Sequence, residues 1–147
     1  MRLTPYKSKK RERKPVTTLV AELAPGSVFR GFYIVRLIAE GGMGIVFEAS
    51  NGMHPGKRLA LKVMKLEFCG NVEARGLFKR EARLCNKVSN HPNGVKYYGA
   101  RVDGEDRPFL VMELLEGVTL EQFIQDNSHL TFEQRLLIAR QVARIIS

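Results

Sequence analysis

The sequence predicts an α+β fold: a five-stranded antiparallel sheet with one packed helix, followed by two helical pieces. Three observations carry that expectation. Short runs rich in β-branched and aromatic residues recur near 32–39, 45–50, 57–65, 95–102 and 107–113. A single longer stretch near 72–88 repeats its apolar residues at helical spacing, and two further helical stretches, near 119–126 and 131–146, follow Gly117 with no strand between them.

The chain opens on a basic arm. Residues 1–15 hold seven Lys/Arg and one Glu, a net +6 of the +9 carried by all 147 residues, so the charge sits in a tail rather than on a face. Lys7-Ser8-Lys9-Lys10-Arg11-Glu12-Arg13-Lys14 has no apolar periodicity, and residues 1–20 are expected to be a disordered tail. Such a tail is ordinarily only solvated. It can also make non-specific contact with anions such as nucleic acid or acidic lipid.

The first two strands enclose Ile38-Ala39-Glu40-Gly41-Gly42-Met43-Gly44-Ile45-Val46. Glycines let backbone N–H groups approach phosphate oxygens closely. A dinucleotide-binding or Walker loop would run from its glycines into a helix, and a Walker loop would add Gly-Lys-Ser/Thr. Here Ile45-Val46-Phe47-Glu48-Ala49 reads as a strand, so the loop is expected to be a hairpin tip over a nucleotide.

In the third strand, alternation puts Ala60, Lys62 and Met64 on one face and Leu59, Leu61 and Val63 on the other. Lys62 thus stands on an otherwise apolar face, where an ammonium needs an anion. In the helix near 72–88, Leu77, Glu81, Leu84, Cys85 and Val88 fall on one stripe, so Glu81 also needs a partner. Each is the other's best candidate. Taken alone, such a lysine often snorkels to solvent and such a glutamate usually lies on the wet face. Small Ala60 leaves room for a flat ring that Val46 can cover, although both residues also suit an ordinary core.

Asp103, Glu105 and Asp106 lie between the last two strands and read as a solvated hairpin turn. The final helix opens with a Thr-x-x-Gln capping box at Thr131 and Gln134 and carries Phe132, Leu136, Ala139, Ala143 and Ile146 on one face. That stripe calls for a partner.

Cys69 and Cys85 have no C-x-x-C spacing and are expected to be reduced and buried. His54, His91 and His129 are scattered, which points to no metal site, and His91 is expected to cap a turn before Pro92. No apolar run approaches the ~18 residues of a membrane span, and the N-terminus lacks a signal peptide's apolar core and cleavage site. A cytoplasmic location is therefore expected.

Taken in order, Ile38 to Val46, Leu59-Ala60-Leu61-Lys62, Phe78-Lys79-Arg80-Glu81-Ala82-Arg83, His91-Pro92-Asn93 and Leu110 to Gly117 resemble the N-terminal lobe of a protein kinase. Gly-Gly-Met-Gly and Arg-Glu-Ala-Arg resemble the bacterial Ser/Thr branch. The resemblance runs from about Phe32 to the C-terminus. It implies an ATP-binding N-lobe over 32–117 and an incomplete start of the helical C-lobe over 118–147. It makes Lys62 and Glu81 the pair that orients ATP on its α- and β-phosphates. It adds Ile38 at the lip of the adenine pocket, Met112 as gatekeeper, and backbone groups of Glu113 and Leu115 along the adenine edge. The loop from Ile38 to Val46, with Ala60 and Lys62, completes the implied ATP contacts.

Two departures stand out. Ala39 replaces the family's first glycine and is expected to stiffen or displace the start of the loop. Gly94 stands where an apolar residue usually follows His-Pro-Asn, which is expected to loosen that corner. No His-Arg-Asp, Asp-Phe-Gly or Ala-Pro-Glu occurs, so the family's base and its Mg²⁺ ligands are absent. The chain by itself is expected to bind ATP, with its Mg²⁺, but to be catalytically incomplete as a Ser/Thr kinase. The alternative is a non-catalytic nucleotide-binding or docking module that uses the stripe of 131–146 to meet a partner protein, or the missing C-lobe. A basic-tail nucleic-acid binder is a third reading.

Overall fold

A computed structural model describes residues 23–52, 56–104, 106–126 and 129–146. The expected basic arm at 1–20 lies outside these residues, as do His54 and Glu105. The strands are β1 (Val28–Phe29), β2 (Phe32–Glu40), β3 (Gly44–Ser50), β4 (Leu59–Met64), β5 (Tyr97–Arg101) and β6 (Phe109–Glu113). A 3₁₀ turn, Leu66–Phe68, leads from β4 towards α1 (Val72–Val88), and α2 (Leu120–Asp126) and α3 (Phe132–Ile146) follow β6. The order across the sheet is β1-β2-β3-β4-β6-β5, with every neighbouring pair antiparallel.

Among the described residues the sheet has six strands rather than the expected five. The additional strand has only two residues, and it turns into β2 through Arg30 (φ 53°) and Gly31 (φ 88°). Two consecutive positive φ values match the twist of a two-residue hairpin. An arginine in the first of those positions is not a turn signal that sequence reading picks up.

The sheet buries apolar residues on both faces. On one, Phe29, Phe32, Ile34, Phe47, Leu61 and Val111 form a core that the curled sheet encloses, with Phe109 edge-on to Phe29 and Phe32 at 5.6 and 5.8 Å between ring centroids. On the other, Met64 and Leu110 pack with Phe78 and Ala82 of α1. Phe78 is fully buried, which stabilises the helix–sheet contact by about 1.5–3 kcal/mol.

Helix α1 has the expected bounds. Asn71 caps it, its side chain accepting from the Ala74 N–H at 3.0 Å. Its buried stripe is Ala74, Phe78 and Ala82, not the expected Leu77–Leu84 line; Leu77 and Leu84 are exposed. The phenylalanine ring is the largest apolar group in the helix, and seating it against Met64 and Leu110 rotates both leucines off the contact.

The corner after α1 is also tighter than expected. The Gly94 N–H donates to the His91 carbonyl at 2.8 Å, and a Cβ on Gly94 would overlap the Val88 carbonyl oxygen at the end of α1. Glycine is there because backbone meets backbone. His91 caps this turn as expected, its Nδ1 accepting from the Asn93 N–H at 3.1 Å.

Helices α2 and α3 both begin with reciprocal Thr–Gln capping boxes. At α3, Thr131 Oγ1 accepts from the Gln134 N–H at 3.3 Å and Gln134 Oε1 from the Thr131 N–H at 2.9 Å; Thr119 and Gln122 repeat the arrangement at α2. Among the described residues, no helix is long and apolar enough to cross a membrane.

Candidate functional site

The register of β3, β4 and β6 builds one face of the site. Val46, Lys62 and Leu110 lie opposite one another across three strands, and Glu48, Ala60 and Met112 form the neighbouring row. Directly opposed residues share a face, so Val46, Ala60, Lys62 and Met112 come together as expected. Ala60 is buried and Met112 packs at the edge of the helix-facing core.

Lys62 Nζ donates to Glu81 Oε1, joining β4 to α1 across the cleft face. Both side chains are partly exposed, at 23% and 36%, so the pair stands at the rim of the core with one side open to an incoming anion. A backbone accident cannot produce this contact. It needs the β4 alternation, the α1 stripe and the Phe78 anchor at once.

Above the pair, the loop is a hairpin tip. Pairing of β2 with β3 continues to Ala39↔Val46 and Glu40↔Ile45, and the Gly41 N–H donates to the Gly44 carbonyl at 2.9 Å. A bulge between Leu37 and Ala39 leaves Ile38 out of the ladder, half-exposed at the lip. Ala39 is ordinary paired strand, and Arg30 is the only non-glycine at positive φ among the described residues. The loop's start therefore carries no backbone strain at Ala39.

Gly41, Gly42 and Gly44 do not adopt positive φ either. At Gly44 the requirement is space: a Cβ would lie 3.0 Å from Lys62 Cε and 3.3 Å from the Val63 carbonyl oxygen. Any larger residue there would press on the lysine. Gly42 faces open space, and Gly41 only ordinary contact.

At the other end of the cleft face, Glu113 closes β6; its N–H donates to the Lys96 carbonyl at 2.9 Å and its carboxylate accepts from the Lys96 N–H at 2.7 Å. Leu115 follows, exposed.

A comparison of sequences and of folds agrees with this geometry. The protein tyrosine and serine/threonine kinase family profile matches residues 32–147. The chain belongs to the protein kinase family. Serine/threonine-protein kinase PknA of Mycobacterium tuberculosis is 37% identical over 126 residues, covering 82% of this chain and 29% of PknA. Serine/threonine-protein kinase PrkC of Bacillus subtilis is 30% identical over 116 residues, covering 79% of this chain and 17% of PrkC. The crystal structure of the M. tuberculosis PknI kinase domain superposes with a TM-score of 0.69 at 26% identity, covering 84% of this chain and 49% of that one. The chain is thus the N-terminal portion of a bacterial-type Ser/Thr kinase domain, and it spans under a third of the curated relatives' length.

Sequence reading missed one charged cluster on this face. Glu48, nearly buried beside Ala60, accepts from Arg36 Nε at 2.7 Å and Arg58 Nε at 2.6 Å, and Arg58 also pairs with Glu116 beyond β6. The Arg58 hydrogen bond, with that of Arg36, holds the Glu48 carboxyl below its ordinary value of 4.5. The signal was available: Glu48 stands two residues after Val46, on the same face, and an acid there needs cations.

Asp103 and Asp106 are not merely solvated. Asp103 pairs with Lys79 at 2.6 Å, which lowers its pKa, and Asp106 with Arg30 at 2.9 Å. Cys69 and Cys85 are free and only half-buried, and burial pushes both thiols up, away from the reactive thiolate. No cluster of metal-ligating side chains occurs among the described residues. A cavity of about 580 Å³ lies behind the loop, against Leu37, Ile45 and Phe47, and its lining includes neither Lys62 nor Glu81.

Proposed function

We propose that residues 32–117 are the ATP-binding half of a Ser/Thr protein kinase, and that 118–147 begin its helical lobe. The observation that carries this reading is the Lys62–Glu81 pair beneath a glycine whose missing Cβ leaves the lysine room to extend. The residues fit the nucleotide. Lys62 offers a cation to the α- and β-phosphates, Glu81 holds it extended, and the backbone from Gly41 to Gly44 can approach the phosphates without side chains in the way. Val46 and Ala60 would flank the adenine, with Ile38 at the lip, Met112 behind, and the backbone of Glu113 and Leu115 at its edge.

ATP supplies the transferable γ-phosphoryl group. The chain offers nucleotide binding and lysine positioning; its sequence contains no His-Arg-Asp or Asp-Phe-Gly, and among the described residues no cluster of metal-ligating side chains occurs. This polypeptide alone is accordingly expected to bind ATP without transferring its phosphate.

A docking reading draws on a different observation. On α3, Phe132 is 75% exposed, and Leu136, on the same face, is also open. An apolar face of that kind would take the remaining kinase lobe or a partner protein.

ATP titration of the chain and of Lys62→Ala tests the first reading. Saturable binding is expected, weakened about tenfold or more by loss of a charge-assisted contact. No saturation, or equal affinity in both proteins, would overturn it.

A further inference from the structure

We infer that Lys65 is a positioning residue for the glycine loop, gripping it from the face opposite the nucleotide. This deepens the nucleotide-site reading above and rests on it. Two contacts converge on Lys65. Its Nζ pairs with Glu40 Oε1 at 2.7 Å, at the loop's first limb, and its backbone N–H donates to the Met43 carbonyl at 2.9 Å, at the tip. The Gly41–Gly44 hydrogen bond closes the turn between those two points. One residue thus holds the strand end that enters the four-residue tip and the third residue of the tip itself.

The register places this grip behind the site. Glu40 opposes Ile45, which opposes Val63, so Glu40 shares the face that points away from Lys62. Glu40 and Lys65 both line the cavity behind the loop. Lys65 therefore acts on the loop's position without competing for phosphate. The Lys65 side chain is only 20% exposed, although Glu40 is 58% exposed.

Lys65 further connects the loop to the helix that carries Glu81. It caps the 3₁₀ turn Leu66–Phe68, and its carbonyl accepts from the Phe68 N–H at 3.1 Å and from Cys69 Sγ at 3.5 Å. The chain then passes directly into α1. A shift of Lys65 would be felt at the glycine tip and at the start of the Glu81 helix together. Gly41 and Gly42 give the tip no side-chain packing of its own, so an external hold sets where its amides point.

The test uses amide hydrogen exchange of the nucleotide-free chain, followed by ATP titration. Lys65→Met should speed exchange at Gly42 to Ile45 by about two- to fivefold, the range of a partly exposed ion pair, and weaken ATP by a similar factor. Lys65→Arg should keep the hold. The exchanged pair Glu40→Lys with Lys65→Glu should recover most of what either single change loses, a rescue that general destabilisation would not give. Amides of the β4 centre, Ala60 to Val63, serve as the folding control and should not change. Unaltered loop exchange in Lys65→Met, or no recovery in the exchanged pair, would overturn the inference. Failure of the unsubstituted chain to bind ATP would instead overturn the nucleotide reading, and the exchange measurement would still decide the role of Lys65.

Discussion

The sheet with α1 and the two C-terminal helices are built from the same kinds of residue but hold them differently. In the first region the large apolar side chains vanish from the surface: Phe78, Ile34, Leu59, Leu61 and Leu110 are completely covered. In the second, Phe123, Ile124, Phe132 and Leu136 are all exposed, although both helices begin with complete capping boxes. Capping and periodicity suffice to shape a helix, but only a partner surface buries its stripe. The first region should therefore stand on packing, and the second on local hydrogen bonds.

The largest effect that can break this contrast is truncation of an apolar side chain in each region. Phe78→Ala should cost about 3–5 kcal/mol in denaturant unfolding, since it removes a ring enclosed between Met64, Leu110 and Ala82. Leu136→Ala on α3 should change stability by less than about 0.5 kcal/mol. Similar losses in both would show that α3 is packed in solution.

A mid-sized effect is expected at the corner of the first region. Gly94→Ala should destabilise by about 1–3 kcal/mol in the same measurement, because its Cβ meets the Val88 backbone rather than a side chain that can turn aside. A neutral result would mean that the corner relaxes freely.

The smallest effect is one of pH. Glu48 has a depressed pKa in the folded chain, so its contribution is complete above the ordinary value of 4.5 and is lost as pH falls through the lower folded value. Glu48→Gln should flatten the acid side of the stability curve below about pH 4.5, read by thermal melts. The Thr–Gln caps of α2 and α3 do not titrate, so helix content contributed by those segments should not follow this acid loss. A parallel loss would tie the two regions together.

How far the site was legible depended on the range of the interaction. Lys62 could be singled out from the sequence because it broke the apolar alternation of its strand, and Glu81 was paired with it although the stripe expected around Glu81 is not the one the helix buries. The Thr131–Gln134 box and the α1 bounds were readable because a cap and its helix lie within a few residues. The rotation of the α1 stripe was not, since Leu77 and Phe78 are equally plausible inward residues until Met64 and Leu110 are placed against them. Nor was the untroubled geometry of Ala39, which depends on pairing with Val46 rather than on the residue's own preferences.

By itself, then, the sequence determined the order of strands and helices, the caps, and the identity of the two charges that meet, because periodicity and turn chemistry act locally. Tertiary structure decided the two-residue first strand, why Gly44 and Gly94 must lack a Cβ, and that Glu48 and Lys65 have partners on either side of the loop and cleft. Those facts rest on atoms of different elements coming within a few ångströms, which cross-strand register sets within the sheet and the turn after the helix sets at Gly94.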